Sequence, residues 1–249
     1  MEINLNECEH FEPLGGGLQV IVSDVHRITT DTILLADFSK PKPWENACEL
    51  GSGCGTIPLI WCREKPPKSV CAVELQADGA DMIRRSVEHN SLEDKIEVIN
   101  ADLRSLDMLT PASFDLVACN PPYKLMGSGI LNPSHGRKLA RHEESCTIDD
   151  VCRCASRLLR FGGRLCICQR PERLCDVIAS MRSFGIEPKR LRTVQQRPSK
   201  PPKLFLIEGK RGAKPGGLII EPTLFIEGDD GGFSSEMLEI YGDYKTGHI

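Results

Sequence analysis

From residue 46 onward, short apolar runs alternate with stretches that carry apolar residues at helical spacing. NACEL leads into a glycine turn and a helix near 54–64, SVCAVEL into ADGADMIRRSVEHN, KIEVIN into ADLRSLD, and FDLVAC into NPPY. RLCICQ, KRLRTVQ and KLFLIEG supply three further apolar runs. Runs this short and this uniformly apolar suit parallel strands covered on both faces by helices. The pattern predicts an α/β fold: a doubly wound, mostly parallel, seven-stranded Rossmann-like sheet.

Residues 1–46 read as an N-terminal arm packing on the core, and 47–249 as the main domain with a C-terminal extension. Within the arm, GGGLQVIVSDVHRI predicts a short hairpin, and TDTILLADF a short helical turn with one apolar face. Thr147 followed by Asp150 resembles a capping box. It opens a helix striped by Ile148, Val151, Cys152, Ala155, Leu158 and Leu159, which Phe161-Gly162-Gly163 is expected to stop. A further helix opens at Pro171 and closes near Gly185. KLMGSGILNPSHGRKLARHEES has little periodicity and reads as a loop over the edge of the sheet.

Composition narrows the class. The net charge of −4 and pI of 5.9 argue against a protein that coats nucleic acid, though a local basic patch remains compatible with them. No stretch approaches the roughly 18 apolar residues needed to span a bilayer, and MEINLNECEHFEP lacks the pattern of a signal peptide, so a cytoplasmic protein is expected. The 12 cysteines fall largely inside apolar runs and read as reduced, buried small hydrophobes. The pairs Cys152/Cys154 and Cys166/Cys168 lack the C-x₂₋₄-C spacing usual for structural zinc, so no metal is expected.

The first turn of the sheet carries the first candidate chemistry. Gly51, Gly53 and Gly55, with Ser52 and Cys54 between them, let the backbone curl tightly and bring amides against a ligand. Alone this is a weak signal, because any βαβ unit needs a tight turn. Glu49 precedes the turn, Glu74 closes the second strand where an acid can accept from ribose hydroxyls, and Asp102 follows the third strand. A helix cap is the competing reading for Asp102. NAD binding uses the same fold, but here the spacing is G-x-G-x-G and an extra acid follows the third strand.

Asn120-Pro121-Pro122-Tyr123 follows the fourth strand, at the carboxyl edge where open α/β sheets bind ligands. An exocyclic amine or an amide nitrogen has a delocalised lone pair and is a poor nucleophile. The Asn120 side-chain oxygen and the Pro121 carbonyl can accept its two N–H bonds, Pro122 stiffens the bend, and Tyr123 offers a face for a flat substrate.

These motifs, with TDTILLADF, ARHEES at 140–145, FGGRLCICQRPERL and EPKRLRTV, resemble the bacterial tRNA(Val) adenine-37 N6-methyltransferase family over nearly the whole chain. The resemblance implies a class I fold and S-adenosyl-L-methionine as cofactor. Glu49 would lie beneath its methionine end, Glu74 at the ribose, Asp102 at the adenine amino group, Leu75 and Leu103 beside them, and Asp31 near the entrance. Asn120, Pro121, Pro122 and Tyr123 would form the catalytic motif, with Asn120 also at the cofactor, and tRNA would be the partner of a chain expected to be monomeric. NPPY also occurs in release-factor glutamine methyltransferases and in ribosomal guanine-N2 enzymes. The glutamine enzymes usually carry a separate helical domain ahead of the cofactor fold, for which a 46-residue arm is too short. A non-catalytic RNA-binding module is a third reading, against which the intact Asn120 and Tyr123 speak.

Candidate RNA contacts are Arg137, Lys138, Arg141 and His142 in the loop after NPPY, and Lys200 and Lys203 within 187–215. That segment holds nine basic residues against two acids, Glu187 and Glu208, and is the best candidate for a phosphate-binding surface. A solvated pair of strand connections is the plainer alternative.

Overall fold

The computed structural model describes residues 3–121, 146–228 and 231–244. An antiparallel hairpin, β1 (His10–Gly15) and β2 (Leu18–Val22), leads into helix α1 (Thr30–Ser39). The alternating unit follows: β3 (Asn46–Leu50), α2 (Thr56–Trp61), β4 (Ser69–Glu74), α3 (Ala77–His89), β5 (Ile96–Asn100) and β6 (Phe114–Cys119). Then come α4 (Ile148–Leu158), β7 (Leu159–Gln169), α5 (Leu174–Ser183), β8 (Ile186–Gln195) and β9 (Pro202–Arg211). The two-residue strands β10 (Ile219–Ile220) and β11 (Leu224–Phe225) and helix α6 (Ser235–Tyr241) complete the described chain.

The main sheet has the order β10-β8-β9-β7-β6-β3-β4-β5, with β11 also pairing β8. The seven expected strands are all present. β10 and β11 add short parallel edges to β8, and β9 alone runs antiparallel to its neighbours. The chain winds from β3 toward β5 on one side and toward β7 on the other, so the topological switch point, where such sheets bind ligands, lies between β3 and β6.

Side-chain alternation along the strands divides the core into two layers. Ala47, Val70, Ala72, Leu116, Ala118, Cys166 and Cys168 join the layer covered by the hairpin and α1–α3. Cys48, Leu50, Cys71, Val73, Val117, Cys119, Leu165 and Ile167 join the layer covered by α4 and α5. Cys166 and Cys168 thus share a face and are fully buried, and every cysteine in the described chain is a free thiol.

Three local expectations are corrected. The hairpin begins at His10, upstream of the glycine run, and Gly16-Gly17 forms its turn while residues 23–28 lie outside it. TDTILLADF is a full helix buried nearly all round, because α2, α6 and the sheet enclose it. Its start is fixed by Thr29 and Thr32, each side chain bonding the other's backbone amide. Finally, Phe161-Gly162-Gly163 does not stop α4. The chain is already extended at Leu159, and the Gly-Gly pair lies inside β7 where its register against β6 shifts.

Arm and core share one hydrophobic layer: Val20, Ile21, Leu34 and Leu35 pack with Ile57, Met82 and Ile83. The Ile21 amide donates to the buried Ser86 hydroxyl at 2.9 Å, which ties the hairpin to α3. No helix among the described residues is long and apolar enough to cross a membrane.

Candidate active site

The register places the chemistry at one level of the switch point. Leu50 pairs with Cys119 on one side and Val73 on the other, so the Gly51–Gly55 turn, Asn120 and Glu74 emerge together at the carboxyl edge. Gly51 and Ser52 both donate to the Val73 carbonyl, at 2.8 and 3.0 Å, and Gly55 donates to the Ser52 carbonyl at 2.8 Å. Gly51, Gly53 and Gly55 have φ of +78°, +57° and +87°. At Gly53 a side chain would project into open space, so the glycine keeps the cavity wall bare as well as permitting the backbone turn.

A cavity of about 150 Å³ opens here, lined by Glu49, Gly51, Ser52, Gly53, Cys54 and Asn120 from the sheet, and by His26 and Thr32 from the arm among others. A larger space of about 370 Å³ lies at the opposite, amino edge of the sheet, among Asn46, Ser69, Lys95, Glu97 and Phe114, where none of the expected site residues is found. The glycine turn, the buried acid and the switch point make the smaller cavity the candidate site.

Glu49 is 2 % exposed, and its Oε2 has no hydrogen-bond partner among the described residues. Burial pushes its carboxyl well above the usual range, with Ser52 offsetting part of the rise and the charge of Glu74 adding to it. A buried acceptor without a donor beside a cavity is a place for a ligand cation or N–H group. The same arrangement sets a pH dependence. Unfolded, Glu49 ionises near its ordinary value of 4.5, whereas folded it keeps its proton to higher pH. Across that interval the native state binds more protons, so its contribution to stability is lost as pH rises. Thermal melts of the ligand-free protein from about pH 5 to 8 should show wild type losing stability relative to Glu49→Gln over this interval. Parallel curves would contradict the unpaired burial of Glu49.

Glu74 is also buried, and it shapes the turn. One carboxylate oxygen accepts from the Gly53 amide and the other from the Gln76 amide, each at 2.8 Å. Each oxygen keeps a second lone pair for a ligand hydroxyl. Leu75, next along, is 40 % exposed and offers an apolar surface. Asn100, at the end of β5, donates to the carbonyls of Glu74 and Leu75, at 2.9 Å each, and holds this strand end in place. Asp102 accepts from the Arg104 amide at 2.9 Å and pairs with its guanidinium, so the capping role weighed for it is filled in this structure. Leu103 packs half-buried against the second core layer.

Asp31 is half-buried in the first turn of α1, and its neighbour Thr32 lines the cavity. Pro121 is buried directly behind Asn120. Pro122, Tyr123, Arg137, Lys138, Arg141 and His142 lie outside the described residues. Sequence reasoning missed His26, Thr32 and Asn100. His26 fell inside the segment read as a hairpin, which ends at Val22, and nothing in the pattern indicated that it reaches the glycine turn.

Lys200 and Lys203 are exposed around the β8–β9 turn. β8 pairs with β9 at Gln195–Pro202, and β9 with β7 at Gln169–Phe205, so this turn stands at the same carboxyl edge as Asn120. Other charges in 187–215 are spent internally or point elsewhere. Arg190 pairs with Glu208 and Glu221, Arg192 with Glu236, and Arg197 with Glu227. Lys210 and Arg211 lie at the opposite edge, beside Glu187 and Ile186.

Comparison with known proteins supplies the family. A chain from Porphyromonas gingivalis named tRNA1(Val) (adenine(37)-N6)-methyltransferase is 28 % identical over 233 residues, covering 88 % of this chain and 89 % of that relative. One of the same name from Yersinia pseudotuberculosis is 24 % identical over 219 residues, covering 88 % and 85 %. Among solved structures, a predicted O-methyltransferase from Agrobacterium tumefaciens superposes with a TM-score of 0.69 at 21 % identity, covering 86 % of this chain and 97 % of that one, a likeness of fold. Residues 26–179 match the methyltransferase small domain, a span running from the cavity-lining His26 through the glycine turn, Glu74 and Asn120 to α5; the chain belongs to that family.

Proposed function

We propose that this protein is an S-adenosylmethionine-dependent methyltransferase that methylates N6 of an adenine in tRNA, at position 37 of a valine tRNA as in the names of its relatives. The observation that carries the reading is the convergence of Asn120, the bare Gly53 wall and the orphaned Glu49 oxygen on one cavity at the switch point.

The residues present fit the cofactor. S-adenosylmethionine supplies a methyl group activated on a sulfonium. Glu49 offers an unpaired acceptor to the positively charged methionine end, Glu74 has lone pairs left for the ribose hydroxyls, and Leu75 provides apolar surface for the adenine. Asn120 accepts an N–H of the target amine through its side-chain oxygen, and the Pro121 carbonyl accepts the other. With both bonds held, the nitrogen lone pair turns out of conjugation and toward the methyl group. Because the leaving group is a neutral thioether, alignment supplies most of the acceleration.

An adenine in an anticodon loop is already single-stranded, so moving it into a pocket costs less than breaking a duplex pair. Phosphate contacts then orient the RNA; among the described residues Lys200 and Lys203 have no acidic partner, unlike Arg190 and Arg192, and Lys203 donates only to the Gln196 side chain at 3.3 Å. Reversing both charges, Lys200→Glu with Lys203→Glu, should weaken tRNA binding roughly 10–100-fold at low salt and flatten the log–log salt dependence by about 2. Filter binding at several salt concentrations measures this, with unchanged S-adenosylhomocysteine affinity as the control. An unaltered salt slope would remove these lysines from the interface.

Nucleoside mass spectrometry of tRNA from a strain lacking the gene tests the function in the cell. Loss of N6-methyladenosine beside the valine anticodon is the expected result. Undiminished methyladenosine with loss of release-factor glutamine methylation would overturn the reading.

A further inference from the structure

One buried polar group at the cavity is unused by the mechanism above. His26 is 7 % exposed, lines the cavity with Gly51–Cys54, and has an Nε2 with no hydrogen-bond partner among the described residues. Oδ2 of Asp78, on a side chain 68 % exposed, stands 3.6 Å from Nε2, within ion-pair range of a protonated ring but beyond hydrogen-bond distance.

The ring is held there by its own turn. The Ser23 amide donates to the His26 carbonyl at 2.9 Å, and the His26 amide donates to the Ser23 hydroxyl at 3.1 Å. The turn brings the imidazole over the start of α3, where glycine at position 79 leaves room for it. A Cβ on Gly79 would stand 3.2 Å from His26 Cε1 and 3.1 Å from Glu74 Cγ. His26 and Glu74 therefore approach from the arm and from the sheet and flank the same point.

Resting on the cofactor assignment above, we infer that His26 is a cofactor-binding residue whose Nε2 hydrogen-bonds a ribose hydroxyl of S-adenosylmethionine, joining Glu74 at the diol. A hydroxyl both donates and accepts, so it satisfies Nε2 in either neutral tautomer. An orphaned ring nitrogen in the ligand-free protein then gains its partner when the ribose arrives. The arm becomes part of the cofactor site, and cofactor binding is coupled to the seating of the β2–α1 connection on the sheet.

Calorimetry on the full chain tests this with four ligands: S-adenosylhomocysteine, its 2′-deoxy and 3′-deoxy analogues, and methylthioadenosine, which keeps the ribose and lacks the amino-acid end. His26→Ala is expected to weaken S-adenosylhomocysteine and methylthioadenosine by the same factor, about 10-fold, the size of one buried hydrogen bond. For the deoxy analogue that lacks the contacted hydroxyl, wild type and variant should converge. His26→Gln, which keeps a polar end in the same space, should recover part of the loss and guards against a change that merely loosens the turn. Equal affinities in wild type and His26→Ala overturn the inference, as does a loss that persists with both deoxy analogues or is absent with methylthioadenosine. Wild-type protein that binds none of these compounds would instead overturn the cofactor assignment itself.

Discussion

Asn120→Ala is expected to lower kcat roughly 10²–10³-fold, the usual cost of removing one preorganised hydrogen bond from a reacting centre, while S-adenosylhomocysteine affinity stays within about a factor of 2. The asymmetry follows from where the side chain stands. Asn120 leaves the end of β6, beside the Leu50–Cys119 pair, and shares the cavity with the glycine turn without forming part of that turn. Its proposed bond is to the amine that receives the methyl group and develops fully only as the nitrogen rehybridises, so its loss falls on turnover more than on ground-state binding. Single-turnover methyl transfer with saturating cofactor reads the effect. Near-normal turnover would sink the role given to Asn120, and a large loss of cofactor affinity would reassign it to the cofactor site.

The second large effect is expected at Gly53. Valine there must hold a φ of +57°, which a β-branched residue adopts only with strain, and must place its side chain in the space the ligand is expected to fill. S-adenosylhomocysteine affinity should fall by roughly 100-fold or more, equivalent to about 2.8 kcal/mol. Gly185→Val separates the two causes. Gly185 also has positive φ, +71°, and open space where a Cβ would stand, but it follows α5 outside the cavity lining. It should share the loss of thermal stability and keep the affinity. Equal affinity losses in the two variants would show that strain alone, and not contact with the ligand, accounts for the behaviour of Gly53.

Much of the architecture was legible because burial imposes it. FDLVAC is buried at every position, as a parallel strand with helices on both faces must be, and such runs stand out against amphipathic α3. The glycine turn and Glu74 were legible because a backbone that turns this tightly needs glycine, and the amides it exposes need an acceptor at that strand end. What escaped has a common physical cause: contacts between segments distant in sequence. The basic stretch 187–215 looked like a phosphate surface because Glu221, Glu227 and Glu236, which pair with Arg190, Arg197 and Arg192, fall outside it. His26 was read as part of the hairpin, whereas its place is set by a four-residue turn after Val22 that folds onto Gly79. β10 and β11, two residues each, are too short for alternation to register, and pairing with β8 defines them.

The cavity is built from both sides of the switch point. β3 contributes the buried acid and the residue after β6 the asparagine, Glu74 of β4 fixes the glycine turn from behind, and the arm closes the side that the sheet leaves open. The most direct test is methyl transfer with purified components. The chain is incubated with methyl-tritiated S-adenosylmethionine and an unmodified valine tRNA transcript, the RNA is digested, and the labelled nucleoside is identified. Label is expected in N6-methyladenosine from position 37, and is expected to vanish when that adenine is replaced by guanine. RNA that stays unlabelled while the protein binds the cofactor, or label in a nucleoside other than N6-methyladenosine, would contradict the proposed function.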